Sequence, residues 1–128
     1  DLAHRPVNTL SGGQRQRAWI AMILAQDTGV VLLDEPVNHL DLQYQYAVLE
    51  LIHALAARHG KTVVCVLHDV NLAAAFADDV VLMQGGTVFA QGPTRQVLTQ
   101  ASVQAVFGQP VDMLEWNGQQ VCVPRRSA

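Results

Sequence analysis

Val30-Val31-Leu32-Leu33-Asp34-Glu35-Pro36 reads as a short strand that ends in two carboxylates. Four consecutive apolar residues suit a strand buried in a parallel sheet. Pro36 lacks the N–H that a ladder needs, so the strand stops before it. Thr62–Leu67 repeats the apolar pattern and ends at His68. Between the two, Asp41 suits a helix N-cap. Tyr44, Ala47, Val48, Leu51, Ile52 and Leu55 follow at spacings of three and four, which predicts one apolar helix face. His59-Gly60 closes that helix. Strand, helix and strand in this order imply an α/β sheet, mostly parallel and flanked by helices.

Upstream, Ser11-Gly12-Gly13-Gln14 predicts a helix start. Ser11 is a good N-cap, and Gln14 three residues on completes a capping-box pattern. Ala18, Trp19, Met22, Ile23 and Gln26 continue at helical spacing, and Thr28-Gly29 ends the run. Downstream, Asp69 can cap a short helix through Ala77. Val80–Met83 and Thr87–Ala90 flank Gln84-Gly85-Gly86, a hairpin signal. Pro93 precedes a further helix start, and Ser102–Phe107 reads as another short helix. Val111 to Pro124 reads as two strands around Asn117-Gly118. No internal repeat or linker stands out, so the 128 residues read as one structural unit.

Composition narrows the class. Half the residues are apolar and 15% are charged, which excludes a disordered or collagen-like chain. No apolar run approaches the ~20 residues of a spanning helix. No export leader is visible at the start. A net charge of −3 and a single lysine, Lys61, disfavour nucleic acid or anionic lipid as the main partner. Cys65 and Cys122 are too few for a disulfide framework and read as reduced, buried thiols.

In open α/β sheets, ligands sit beyond the carboxyl ends of the strands. Asp34 and Glu35 follow one strand there, and His68 follows the other. That set suits phosphate chemistry. One carboxylate can support Mg²⁺ through water, and its neighbour can orient and deprotonate an attacking water. The Ser11-Gly12-Gly13 helix tip offers free N–H groups and a positive dipole end. Each piece also has a plain structural reading: solvated loop carboxylates, or an ordinary capping box.

The order of the pieces separates these readings. Leu10-Ser11-Gly12-Gly13-Gln14-Arg15-Gln16-Arg17 resembles the signature motif of ATP-binding cassette proteins. Val30 to Glu35 is similar to their Walker B strand. His39-Leu40-Asp41 resembles the D-loop, and His68 the switch histidine. The later run Val66-Leu67-His68-Asp69-Val70-Asn71-Leu72, with Gly85-Gly86 and Gln91-Gly92-Pro93, resembles ATPases of iron-siderophore, haem and cobalamin importers.

The resemblance implies the C-terminal part of a P-loop NTPase nucleotide-binding domain, spanning 1–128, with ATP and Mg²⁺ as cofactors. It implies Asp34 as the Mg²⁺ support, Glu35 as general base and His68 as the γ-phosphate contact. Ser11, Gly12, Gly13 and Gln14 would bind ATP held by an opposite subunit, and Asp41 would lie at that interface. The implied partners are a second nucleotide-binding subunit in a homodimer, transmembrane permease subunits and, indirectly, a periplasmic or surface substrate-binding protein. Nucleic acid is not among them. The implied location is peripheral, on the cytoplasmic face of the inner membrane. A soluble cassette ATPase and a non-catalytic remnant are the alternatives. The run Pro36-Val37-Asn38-His39 departs from the small hydroxyl residues common in the family.

Gly60-Lys61-Thr62 mimics the end of a Walker A loop. Leu55 stands where that loop needs its first glycine, and the triplet runs from helix to strand instead of strand to helix. It therefore reads as a turn. With no Walker A loop, the 128-residue chain is expected to be part of a longer ATPase. By itself it is expected to be inactive, with strand edges prone to aggregation.

Overall fold

The computed structural model describes residues 4–126. The fold gathers into two compact units, one ending at Val66 and the other starting at Leu67, where the sequence reads as one.

In the first unit, a 3₁₀ turn (Val7–Thr9) precedes helix α1 (Gly12–Ala25), strand β1 (Val30–Asp34), helix α2 (Leu42–His59) and strand β2 (Thr62–Val66). Ser11 caps α1 through the expected reciprocal box: Gln14 N–H reaches Ser11 Oγ at 3.3 Å, and Ser11 N–H reaches Gln14 Oε1 at 3.0 Å. Asp41 caps α2, its Oδ1 accepting from Tyr44 N–H at 3.1 Å. Gly60 ends α2 at φ +59, a left-handed turn that glycine adopts without a Cβ clash.

β1 and β2 pair in parallel, with Asp34 opposite Val66 and Leu33 opposite Cys65. Burial of β1 alternates instead of running through. Val31 and Leu33 are buried, while Val30 and Leu32 are 55% and 75% exposed. Successive strand side chains point to opposite faces, and one face of this pair is covered. β2 is likewise half-buried. On α2 the buried residues are Val48, Leu49, Ile52 and Leu55, so the stripe is rotated from the expected one. Tyr44 and Leu51 are exposed and Leu49 takes a place in the core.

The second unit holds helix α3 (Val70–Phe76), strands β3 (Asp79–Gln84) and β4 (Thr87–Pro93), helices α4 (Thr94–Val97) and α5 (Gln100–Phe107), and strands β5 (Val111–Trp116) and β6 (Gln119–Pro124). β3–β4 and β5–β6 are antiparallel hairpins, as their turn residues predict. Asn117 and Gly118 both take positive φ, the geometry a two-residue hairpin turn requires. The parallel part of the α/β architecture is thus one strand pair, and the described remainder of its strands is antiparallel.

Val80, Leu82, Val97, Leu98, Val103, Val111 and Cys122 form the core of this unit. Leu98 is 1% exposed, so its truncation to alanine would cost roughly 2–5 kcal/mol. Trp116 is 71% exposed. It sits at the hairpin end beside Asn117, past the reach of the core.

Candidate functional site

The acidic turn after β1 is the most structured of the candidate groups. Asp34 ends the strand and is exposed. Glu35 then takes φ 49, a left-handed conformation that a residue with a Cβ adopts at a cost. The chain therefore leaves the strand sharply at Glu35, and Pro36 prevents the ladder from resuming. Asn38 N–H closes the turn onto the Glu35 carbonyl at 3.1 Å. Asn38 Nδ2 also donates to Glu35 Oε2 at 2.9 Å, and Asn38 Oδ1 accepts from His39 N–H at 3.1 Å. His39 is itself at φ 61. Val37, between them, is buried and anchors the turn.

The serine-glycine tip of α1 is the second group. Ser11 and Gly12 are exposed, and Gly13 and Gln14 are half-buried. Among the described residues, a Cβ built at Gly12 or Gly13 meets nothing within 4 Å, and neither has a positive φ. Packing and backbone among the described residues therefore do not demand glycine there, although glycine in a helix is about 1 kcal/mol worse than alanine. The open space suits close approach by a group from outside. Gln14 spends its Oε1 on the capping box.

His68, the third group, lies just inside the second unit and is exposed. Asp69 behind it caps α3, its Oδ1 accepting from Asn71 N–H at 2.7 Å and Leu72 N–H at 3.2 Å. A cleft of about 470 Å³ lies against His68, Asn71, Phe107 and Cys122. Each of the three groups thus stands on a different element. Within the first unit the fold draws Asp34, Glu35 and Asn38 into one turn and places Asp41 at the helix start that follows.

Asn38 and Asn71 are partners that the motifs alone do not single out. Asn38 has a visible signal, its place in the departing Pro36-Val37-Asn38-His39 run. Asn71 has none.

No group of three or more His, Cys, Asp or Glu able to hold a metal exists among the described residues. Mg²⁺ keeps most of its water and takes one or two carboxylates plus phosphate oxygens. Exposed Asp34 at the strand end is a suitable donor. Lys61 is no phosphate ligand of the P-loop kind: its side chain is 6% exposed and its Nζ donates to the Thr28 carbonyl at 2.6 Å. His53 and His59 are exposed on α2. Cys65 and Cys122 are free thiols, and burial pushes both up, Cys65 to about 11. The charge of Asp69 adds to the effect at Cys122. Neither thiol is poised as a nucleophile.

A family model described as ABC transporter matches residues 1–38. The Achromobactin transport ATP-binding protein CbrD of Dickeya dadantii (strain 3937) is 58% identical over 106 residues, covering 83% of this chain and 39% of that relative. The Ferric enterobactin transport ATP-binding protein FepC of Escherichia coli (strain K12) is 45% identical over 107 residues, covering 84% and 40%. Among solved structures, an inward-facing putative metal-chelate type ABC transporter matches with a TM-score of 0.84 at 35% identity, over 98% of this chain and 51% of that one. The dimeric post-hydrolysis state of the ATP-binding cassette MJ0796, bound to ADP and Pi, matches with a TM-score of 0.58 at 38% identity, over 72% and 39%. The chain spans about 40% of the length of these curated relatives.

Proposed function

We propose, for a chain whose sequence and fold belong to the ABC transporter ATPases, that it forms the segment from the signature motif onward of an importer's nucleotide-binding domain. The parent protein hydrolyses ATP to drive uptake of a ferric siderophore or related iron complex. Two relatives named for achromobactin and ferric enterobactin transport support that cargo class. Residues 1–128 are read as one partial domain.

The observation that carries the proposal is the turn at Glu35. Its left-handed backbone takes the residue off the strand, and a hydrogen bond from Asn38 holds its carboxylate just beyond the strand end. A general base needs that placement, at the sheet edge where α/β folds bind ligands. In this reading Glu35 orients and deprotonates the hydrolytic water, and Asp34 is the residue that would hold Mg²⁺. His68 contacts the γ-phosphate. Mg²⁺ supplies charge neutralisation at the transferring phosphoryl group.

Ser11, Gly12, Gly13 and Gln14 form a ready anion site at the α1 tip, with the open space that a partner's nucleotide needs. They serve ATP bound to a second copy, and Asp41 lies at the junction. The likeness to a dimeric cassette supports this pairing. No helix among the described residues is long and apolar enough to cross a membrane. Relatives named as transport ATP-binding proteins support docking on separate permease subunits. The docked subunit lies peripherally at the cytoplasmic face, with the substrate-binding protein engaged through the permease.

The test is Glu35→Gln in the parent ATPase. Turnover should vanish while ATP-dependent dimers persist on size exclusion. Wild-type turnover in the variant removes Glu35 from the role of base.

A further inference from the structure

We propose that Asn38 is a positioning residue for Glu35, and that its side-chain amide sets turnover without setting nucleotide affinity. The inference rests on the reading of Glu35 as general base.

The geometry assigns each end of the amide. His39 N–H is a donor, so the Asn38 atom 3.1 Å from it is the carbonyl oxygen. The other end is then Nδ2, and it faces Glu35 Oε2 at 2.9 Å as a donor to a carboxylate. A third bond, Asn38 N–H to the Glu35 carbonyl at 3.1 Å, ties the two residues through the backbone. One side chain therefore joins the two left-handed residues of the turn, Glu35 at φ 49 and His39 at φ 61.

The chemistry follows from what a general base requires. Glutamate has three side-chain torsions, and a base held at one position must give up that freedom. A base must sit within hydrogen-bond reach of the water it activates. The bond from Nδ2 holds Oε2 of that carboxylate at a set place beside the turn. Hydrogen bonds to charged groups are among the stronger ones, so losing this one should lower turnover about tenfold. The α1 tip lies on another element, so nucleotide affinity should not follow.

Three variants of the parent ATPase test the idea. Asn38→Asp keeps Oδ1 for His39 and replaces the donor with an oxygen that repels Glu35. Asn38→Ala removes both bonds. Glu35→Gln gives the reference. The expected result is a kcat about tenfold lower in Asn38→Asp and Asn38→Ala. KM for ATP should stay within about twofold, because the lost bond is to the base and not to the nucleotide. In the Glu35→Gln background, Asn38→Asp should leave the ATP-dependent dimer fraction unchanged. Wild-type kcat in Asn38→Asp, with loss confined to Asn38→Ala, overturns the proposal and makes Asn38 a turn former through Oδ1. A change in KM alone overturns it as well. An inactive Glu35→Gln beside a fully active Asn38→Asp sinks only the role of Asn38, whereas an active Glu35→Gln sinks the base assignment itself.

Discussion

Asn71 and Cys122 exchange two hydrogen bonds: Cys122 N–H donates to Asn71 Oδ1 at 2.7 Å, and Asn71 Nδ2 donates to the Cys122 carbonyl at 3.1 Å. The amide thus docks on β6 as another strand would, and ties α3 to that strand. Cys122 is buried, so its backbone groups have little water to fall back on. Asn71→Ala should destabilise the protein by about 2–3 kcal/mol, two part-buried bonds at about 1 kcal/mol each plus the cost of stranded backbone groups. Asn71→Asp keeps the acceptor but not the donor and should fall between. Urea unfolding of the parent protein checks both. A loss under 0.5 kcal/mol in Asn71→Ala, the ~0.5 kcal/mol scale of an ordinary surface substitution, counts against the tie.

Lys61 looks like a phosphate lysine in sequence and is an internal strut in structure. Its side chain is 6% exposed and its Nζ is spent on the Thr28 carbonyl. The accompanying pair with Asp27, at 3.8 Å, adds little because Asp27 is 99% exposed. Lys61→Ala should leave KM for ATP unchanged and lower stability by about 1–2 kcal/mol through the lost carbonyl bond and stem packing. Paired measurements of ATPase kinetics and thermal unfolding decide it. Collapse of ATP binding with normal stability reverses the assignment.

Asp41 serves α2 as a cap and, in the proposed dimer, serves the interface. The two roles separate by substitution. Asp41→Ser keeps a side-chain acceptor for Tyr44 N–H, whereas Asp41→Ala loses it and should cost about 1 kcal/mol. If Asp41 also couples two nucleotide sites, Asp41→Ser should retain stability and still lose cooperativity in ATP turnover. Full cooperativity in Asp41→Ser confines the residue to capping.

The architecture was legible where local chemistry dictates it. Ser11 with Gln14, Asp41, Gly60, Asp69 and Asn117-Gly118 each carry a backbone requirement, and each marks an element end in the structure. Which face gets covered was less legible. The run Val30–Leu33 is uniformly apolar, so it could not say that Leu32 would stand 75% exposed while Leu33 is buried. Apolar periodicity on α2 located a stripe but missed Leu49, because Ala47-Val48-Leu49 is an apolar run in which more than one register of a helical stripe fits. At the site, Asp34 and Glu35 were readable from their place after a strand. The Asn38 amide was not, since its role depends on a positive φ at Glu35 that no residue type there announces.

Cys65 gives a pH signature. It lies on β2 opposite Leu33, and burial raises its thiol from 9.0 to about 11. The folded state therefore holds the proton more tightly than the unfolded state. The resulting stabilisation is complete below about pH 9 and is lost as pH rises toward 11. Tyrosine and lysine titrate in the same range, so the informative quantity is the difference from Cys65→Ala. The stability gap between wild type and Cys65→Ala, measured by urea unfolding, should narrow steadily from pH 9 to pH 11. Alkylation of the native thiol by iodoacetamide should accelerate over the same interval, because the thiolate is the nucleophile. A gap that stays constant across that interval means that the Cys65 thiol is not shielded by the fold.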